Sequence, residues 1–215
     1  PDLADQVEGF RSETQLGSLV EGWVVRYVDG TAVEEGDGTE ARPFNGIQTA
    51  IDASRGAPTV LLLAAGEYSE AIQVSHSIAL LGTGVGRTRL TNANGFTLIG
   101  SNGTDARLIL GWLSLDGPNG VSVTNWGEFY AFHLATEAAL GHGLVLNGVN
   151  TAAMVNTAYA GSGEQPVLAP LISIRGSGAA FFKSRISAHG GAGLIAGFAR
   201  GDVAECAVSH VCPFS

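Results

Sequence analysis

The chain has few charged residues, almost no cysteine or lysine, and no long apolar run. Charged residues make up 14% of its 215 positions and hydrophobic residues 45%, which is far from the composition of a disordered chain. No apolar run approaches the roughly 20 residues that span a bilayer. Lys183 is the only lysine, and the sequence contains no basic stripe that could follow a phosphate backbone. This pattern argues against nucleic-acid binding.

The net charge of −9 is confined to one part of the chain. Residues 1–70 contain 13 acidic and 4 basic side chains, a difference of −9, whereas residues 71–215 contain 7 of each. The neutral part offers a polyanion such as pectate little attraction unless calcium is bound. The composition therefore gives no support for a polyanionic partner.

Apolar strand starts recur at a nearly constant interval from Leu98 onwards. They fall at Leu98, Val121, Leu144, Ile172 and Leu194, with intervals of 23, 23, 28 and 22 residues. A repeat of 20–30 residues is typical of a solenoid, in which stacked turns bury one another's apolar face. We expect corner glycines to supply positive φ angles. The predicted inward column comprises Leu108, Ile109, Phe129, Ala131, Met154, Phe182 and Ala204.

Residues 36–82 predict a cap followed by the first turns of this coil. Phe44, Ile47, Ala50 and Ile51 recur at helical spacing and give one apolar face, so a short helix is predicted at about residues 44–55. Apolar strands then follow at 59–63, 71–74 and 77–81. Residues 1–22 are interpreted as a leader or linker with a helical turn near residues 16–20. A strand is predicted at 23–28, and the solenoid domain covers residues 23–215.

The order of short motifs in this stretch resembles a known family. It reads P-F-x-x-I-Q-x-A-I-D from Pro43, A-G-E-Y from Ala65, I-x-V from Ile72 and I-x-L-L-G-x-G from Ile78. This order resembles the N-terminal cap and first rungs of right-handed parallel β-helix proteins of the pectate-lyase-like superfamily. The resemblance implies an all-β solenoid with a short capping α-helix. It does not select an activity, because the superfamily contains lyases, hydrolases, esterases, tailspikes, adhesins and non-catalytic surface proteins.

Four residues are weak candidates for catalysis. Gly-His-Gly around His142 also occurs in polygalacturonase-type hydrolases, but the paired carboxylates that inverting hydrolysis requires are missing from the sequence pattern. A corner turn is the alternative interpretation of His142. A lyase of this superfamily needs calcium ligands and a base, often Arg. Arg175 and Arg185 flank one rung and could face the same side as Asp202, or all three could be ordinary surface charges.

Other residues are candidates for binding. Trp112, Trp126 and Tyr130 could stack against sugar rings through their large apolar faces, or pack in the core and corners. Asp29, Glu34, Glu35 and Asp37 form an acidic loop that could hold calcium through carboxylate oxygens. The alternative interpretation is a solvated turn, and no other cofactor is predicted.

The last predicted rung contains both cysteines. Cys206 and Cys212 could form a disulfide that pins the end of the coil, remain free buried thiols, or bind a metal together with His210. An uncapped end exposes unpaired backbone groups, which invites self-association or pairing with a neighbouring chain.

These observations favour a non-catalytic, secreted or cell-surface β-helix module that is structural or binds glycans weakly. One alternative is a polysaccharide lyase or glycoside hydrolase whose site is assembled from distant residues. Another is a fragment of a larger β-helix assembly. Whether the chain is an enzyme is left open by the sequence.

Overall fold

The computed structural model describes residues 13–34, 36–139, 141–161, 171–187, 194–204 and 207–209. Within them it has two short helices, α1 (Glu13–Leu19) and α2 (Ile47–Ala53). Neither helix is long and apolar enough to cross a lipid bilayer. The strands in chain order are β1 (Val24–Val28), β2 (Thr59–Leu63), β3 (Gly66–Ser69), β4 (Ile72–Val74), β5 (Ile78–Leu81), β6 (Thr88–Thr91), β7 (Phe96–Gly117), β8 (Asn119–Ala138), β9 (Leu144–Val155), β10 (Ala158–Gly161), β11 (Ile172–Phe182), β12 (Arg185–Ser187), β13 (Leu194–Ala204) and β14 (Ala207–Ser209).

Every strand pair in this set is parallel, and together the strands wind into about five turns of a β-solenoid. The longer strands bend around corners, so the residues stack into three columns, which we call sheets one, two and three. Sheet one stacks β1, β2, β5, and residues 108–111, 129–132, 152–155, 179–182 and 201–204. Sheet two stacks β3, β6, residues 114–116 and 135–138, β10, β12 and β14. Sheet three stacks β4 and residues 98–100, 121–124, 144–147, 172–175 and 194–197.

The repeat counted in the sequence is confirmed as the vertical register of sheet three. Leu98 pairs with Val121, Val121 with Leu144, Leu144 with Ile172 and Ile172 with Leu194. Adjacent strands lie about 4.8 Å apart, so equivalent residues of successive turns touch. The insertion predicted in the 28-residue interval falls largely on residues 162–170, which lie outside the described residues.

The predicted inward column is partly wrong: Ile109 faces outward, and the strand register places Phe181 rather than Phe182 next to Met154. Met154 pairs with Phe181, which is 1% exposed and lies in the main core. Phe182 pairs instead with Val155, whose side chain belongs to the outside of sheet one. Ile109 also faces outward, whereas Leu108 faces the lumen. The rung count was therefore right, but the inward position in this rung belongs to Phe181.

A second apolar cluster covers the outside of sheet one. We call this set the outer cluster: Val60, Ala79, Ile109, Tyr130, Phe132, Ala153 and Val155, with partly buried Leu16, Leu19, Val20 and Trp23 packed against it. The last four residues come from α1 and the turn that follows it. The stretch predicted as a leader or linker thus contains a helix that packs on the solenoid, which explains why sheet one is apolar on both faces.

The corners differ from the sequence expectation. Four successive rungs place a non-glycine residue in the left-handed region between sheets one and two: Trp112, His133, Asn156 and Lys183, with φ of 53°, 45°, 52° and 48°. Gly103, Gly120 and Gly141 do not have positive φ. Their small size matters instead, because a Cβ on Gly120 would lie 2.3 Å from the Gly143 carbonyl oxygen. These glycines permit close contact between rungs.

Helix α2 covers the start of the coil, as predicted. Its N-terminus is capped by a side chain that is distant in the sequence. Its N-cap residue Gly46 has no side-chain bond to the helix. The two carboxylate oxygens of Glu70 accept hydrogen bonds from the Ile47 and Gln48 amides, each at 2.9 Å. The Gln48 side chain accepts from the Gln73 amide at 2.8 Å and donates to its carbonyl. Two amides of the helix N-terminus and the backbone groups of Gln73 on β4 are therefore satisfied.

We expect Glu70→Ala to lower the free energy of unfolding by about 1–2 kcal/mol, because it removes a side chain that satisfies two helix N-terminal amides. Chemical denaturation measures this change. Glu67→Ala is the matched control, since Glu67 is exposed on β3, just before Glu70, and its effect should stay within about 0.5 kcal/mol. Equal effects of the two substitutions would contradict the capping role.

Candidate functional site

The predicted catalytic residues do not converge. Arg175 lies on sheet three, Arg185 on sheet two and Asp202 on sheet one, so the three residues occupy different faces of the coil. His142 lies at the corner between sheets two and three, where its ring stacks on Phe96 with centroids 6.3 Å apart. Its backbone amide donates to the Asn119 side chain at 2.9 Å. This is the packing expected of a corner turn.

The predicted sugar-stacking residues are also separated. Trp126 is fully buried in the main core, so a sugar on the surface does not reach its ring. Tyr130 is 5% exposed and belongs to the outer cluster. Burial and the nearby Glu128 carboxylate raise its pKa. Trp112 is half-buried and stacks on His133 at 5.6 Å, on the corner between sheets one and two.

The acidic loop uses two of its carboxylates for local turns. Asp29 accepts hydrogen bonds from the Thr31 hydroxyl at 2.7 Å and the Thr31 amide at 2.9 Å. Thr39 bonds Asp37 in the same way. These bonds lower the pKa of both carboxyl groups.

No cluster of three metal-ligating side chains occurs among the described residues. Glu34 is exposed. Glu35, Cys206 and Cys212 lie outside the described part of the chain, so the loop's calcium site and the disulfide stay predictions.

A groove runs along the corner between sheets three and one. Two adjoining depressions of about 400 and 460 Å³ form it, and they share Pro58, Ser77 and residues 104–106. Its lining comes from five successive rungs, at residues 55–58, 75–77, 103–107, 127–128 and 150–151, together with Trp23. Four rung spacings give a length of about 19 Å. We call this feature the corner groove.

Two glycines allow the floor of the corner groove to form. A Cβ on Gly103 would lie 2.6 Å from the Trp126 ring, and a Cβ on Gly127 would lie 2.8 Å from the Thr104 and Ala106 carbonyl oxygens. Trp126 therefore packs directly beneath Gly103, and the loop of residues 104–106 packs against the next rung. The buried indole supports the groove from inside.

Arg107 ties the groove to helix α1. Its guanidinium donates to the Glu128 carboxylate and to the carbonyl oxygen of Leu19, the last residue of α1. It also lies 6.0 Å from the centroid of the Tyr130 ring. A cation at the helix C-terminus is favourable. These contacts hold α1, and with it Trp23, at one wall of the groove.

His76 lines the depression of about 400 Å³, on the second of the five rungs of the corner groove. Neither of its buried ring nitrogens has a hydrogen-bond partner among the described residues. Burial, reinforced by the Arg55 charge, lowers the pKa of its imidazole below 6.5. Arg55 itself is paired with Asp52 at 2.6 Å. Burial therefore favours the neutral form of the imidazole.

Sequence inspection did not find this site because no motif spans it. Trp23 was read only as the start of a strand, while His76, Asp105 and Asn150 stand at unrelated places in the chain. Stacking of the corners brings them to one surface. The equal rung spacing was the available signal, but it does not reveal which corners are recessed.

Comparisons with known proteins give no assignment. No known protein-family model matches the chain, and no curated protein matches it. The resemblance to the pectate-lyase-like superfamily thus has no support from a family match. The structure establishes the architecture, which is a parallel β-solenoid with a short helix near its N-terminus.

Proposed function

We propose that this solenoid is a non-catalytic carbohydrate-binding module whose ligand is a neutral polysaccharide lying in the corner groove. The observation that carries the proposal is the shape of the groove. Its two depressions share lining residues and extend over five stacked rungs, or about 19 Å along the coil axis, which suits an extended polymer better than a compact metabolite. Its lining comes from five rungs, so successive units of a polymer would meet successive turns.

The chemistry of the lining supports a sugar ligand. Trp23 supplies a half-buried indole, which is suited to contact with the apolar face of a pyranose. Thr104, Thr151 and Asn150 supply hydroxyl and amide groups that can bond sugar hydroxyls. Apolar contact combined with a few orienting polar groups is the usual composition of a small-molecule site.

The charges of the groove favour a neutral glycan over an acidic one. Arg107 is paired with Glu128 and Arg55 with Asp52, which leaves the carboxylate of Asp105 in the lining. A polyuronate would bring further negative charge next to that carboxylate, and no described cation of the groove is left without an anionic partner to offset it. Electrostatic complementarity therefore selects against acidic polymers.

The structural hydrogen bonds and ion pairs of three described carboxylates support the non-catalytic part of the proposal. Glycoside hydrolysis uses two carboxyl groups flanking the scissile bond. Here Glu128 is bound by Arg107, Glu70 caps α2 and Asp116 pairs with Arg89 at 2.8 Å. These groups serve the architecture of the coil. We extend the proposal to a secreted or cell-surface location, where extended structural polysaccharides are found.

Binding is tested with hexasaccharides of glucose, xylose and galacturonic acid, titrated calorimetrically at low salt. We expect a neutral hexasaccharide to bind and the galacturonate hexasaccharide not to bind. The same mixtures are assayed for new reducing ends and for new ultraviolet absorbance. Absence of binding by every probe overturns the carbohydrate proposal, whereas turnover overturns its non-catalytic part and favours a lyase or hydrolase.

Two exposed asparagines on β9 allow a test of where the sugar binds. Asn150 is exposed and lines the groove, whereas Asn147 is exposed on the outside of sheet three. We expect Asn150→Ala to weaken binding of the neutral hexasaccharide about tenfold, the loss expected when a hydrogen bond to the ligand is removed. Asn147→Ala should leave the affinity unchanged. Both variants should melt like the wild type, because both side chains are exposed. Equal affinities of the two variants would place the sugar elsewhere.

A further inference from the structure

The two buried ring nitrogens of His76 are energetically unusual. A buried polar atom without a partner loses its bonds to water and gains none in return. Folded proteins rarely keep such groups, and each one calls for an explanation. His76 keeps two of them in the lining of a depression of about 400 Å³. An apolar ring of the same shape would avoid this cost.

The surroundings of His76 are polar and mixed in charge. Arg55 and Asp52 face it from helix α2 and the turn after it. Ser75 and Ser77 flank it in the chain, and Asp105 lines the same depression from the next rung. The Ser77 hydroxyl is already used, since it accepts a hydrogen bond from the Arg107 amide at 3.1 Å.

We propose that His76 is a specificity-determining residue of the corner groove, where it hydrogen-bonds a hydroxyl group of the bound neutral sugar. This inference rests on the proposed carbohydrate function. A neutral imidazole has one donor and one acceptor nitrogen, and a hydroxyl can serve either of them. Because both ring nitrogens are buried in the free protein, the imidazole has to turn towards the depression for a nitrogen to reach the ligand. The unsatisfied group of the free protein then becomes a bonded group in the complex.

Substitution separates this role from a structural one. His76→Phe keeps a ring of similar shape and removes both unsatisfied nitrogens. We expect its melting temperature to be equal to or higher than that of the wild type, while affinity for the neutral hexasaccharide falls about tenfold. His76→Gln retains a donor and an acceptor, so it should recover part of the affinity. Asn147→Ala again serves as the control for unaffected binding.

The pH dependence follows from the lowered pKa of His76. In the unfolded chain its pKa is near 6.5, so below this pH the unfolded state binds more protons than the folded state. The contribution of His76 to stability is therefore present above pH 6.5 and is lost as pH falls towards the folded-state pKa. Protonation also removes the acceptor nitrogen and places a cation beside Arg55. Affinity should fall over the same interval in the wild type and not in His76→Phe.

The outcomes distinguish two failures. If the wild type binds none of the hexasaccharides, the proposed function fails and the inference about His76 fails with it. If the wild type binds a neutral hexasaccharide but His76→Phe binds it equally well, only the inference about His76 is overturned. A His76→Phe protein with a lower melting temperature and unchanged affinity would assign the residue to packing.

Discussion

Phe181→Asp should yield no folded protein. Phe181 is 1% exposed, faces the lumen and packs edge-to-face on Tyr159 at 6.2 Å. Truncation of a buried Phe alone costs about 3–5 kcal/mol, and an unpaired carboxyl group in an apolar core adds several kcal/mol more. Together these costs reach the whole stability of a typical domain, about 5–15 kcal/mol. Solubility on expression and circular dichroism with heating measure the outcome.

Arg185→Asp is the control for this substitution. Arg185 begins β12, close to Phe181 in sequence, and its side chain is exposed. Reversal of an exposed charge typically changes stability by no more than about 0.5 kcal/mol. A soluble Phe181→Asp protein with a cooperative melting transition would show that the side-chain direction in β11 is wrong.

Much of the architecture could be predicted from the sequence. The repeat starting at Leu98 gave the vertical register, because each turn must place an apolar residue over the one below it. The cap helix and the first strands were also predicted, although α2 begins at Ile47 rather than near residue 44. Strands β3 and β6 were missed, because each has only four residues and the exposed positions are mostly polar, so neither strand forms an apolar run.

The direction of side chains in sheet one could not be predicted, for a physical reason. A strand with one wet face alternates apolar and polar residues, and the alternation identifies the inward positions. In β11 the run Ala179–Phe182 is apolar throughout, because the outside of sheet one forms the outer cluster beneath α1. Without alternation, Phe181 and Phe182 are equivalent to a reader of the sequence.

The corner groove was beyond sequence reasoning for a related reason. The sequence left open whether Trp126 stacks on sugars or packs in the core, and its partner on the preceding rung, Gly103, decides this. The missing side chain at Gly103 leaves room for the indole to turn inward. The direction of Trp126 therefore depends on a glycine 23 positions earlier, through a contact that only the stacked rungs create.

That contact predicts a large effect for Gly103→Ala. An ideal Cβ at residue 103 would lie 2.6, 2.7 and 2.8 Å from three carbons of the Trp126 ring. The ring is fully buried and cannot swing into solvent, so the backbone of the rung must move. Overpacking of this kind costs about 1–3 kcal/mol, and we expect a loss in the free energy of unfolding at the upper end of that range. The displaced rung also carries Thr104 and Asp105, so binding of the neutral hexasaccharide should weaken.

Gly56→Ala provides a control within the same groove. Gly56 lines the groove, but a Cβ placed there meets no atom within 4 Å. The substitution should be neutral or stabilising by about 0.4–1 kcal/mol, through the smaller entropy of the unfolded chain.

Trp126→Leu in the Gly103→Ala background tests the cause directly, because a smaller residue removes the overlap. The double-mutant cycle should give a coupling free energy above about 1 kcal/mol. Additive effects would mean that Gly103 is required for some reason other than the indole beneath it.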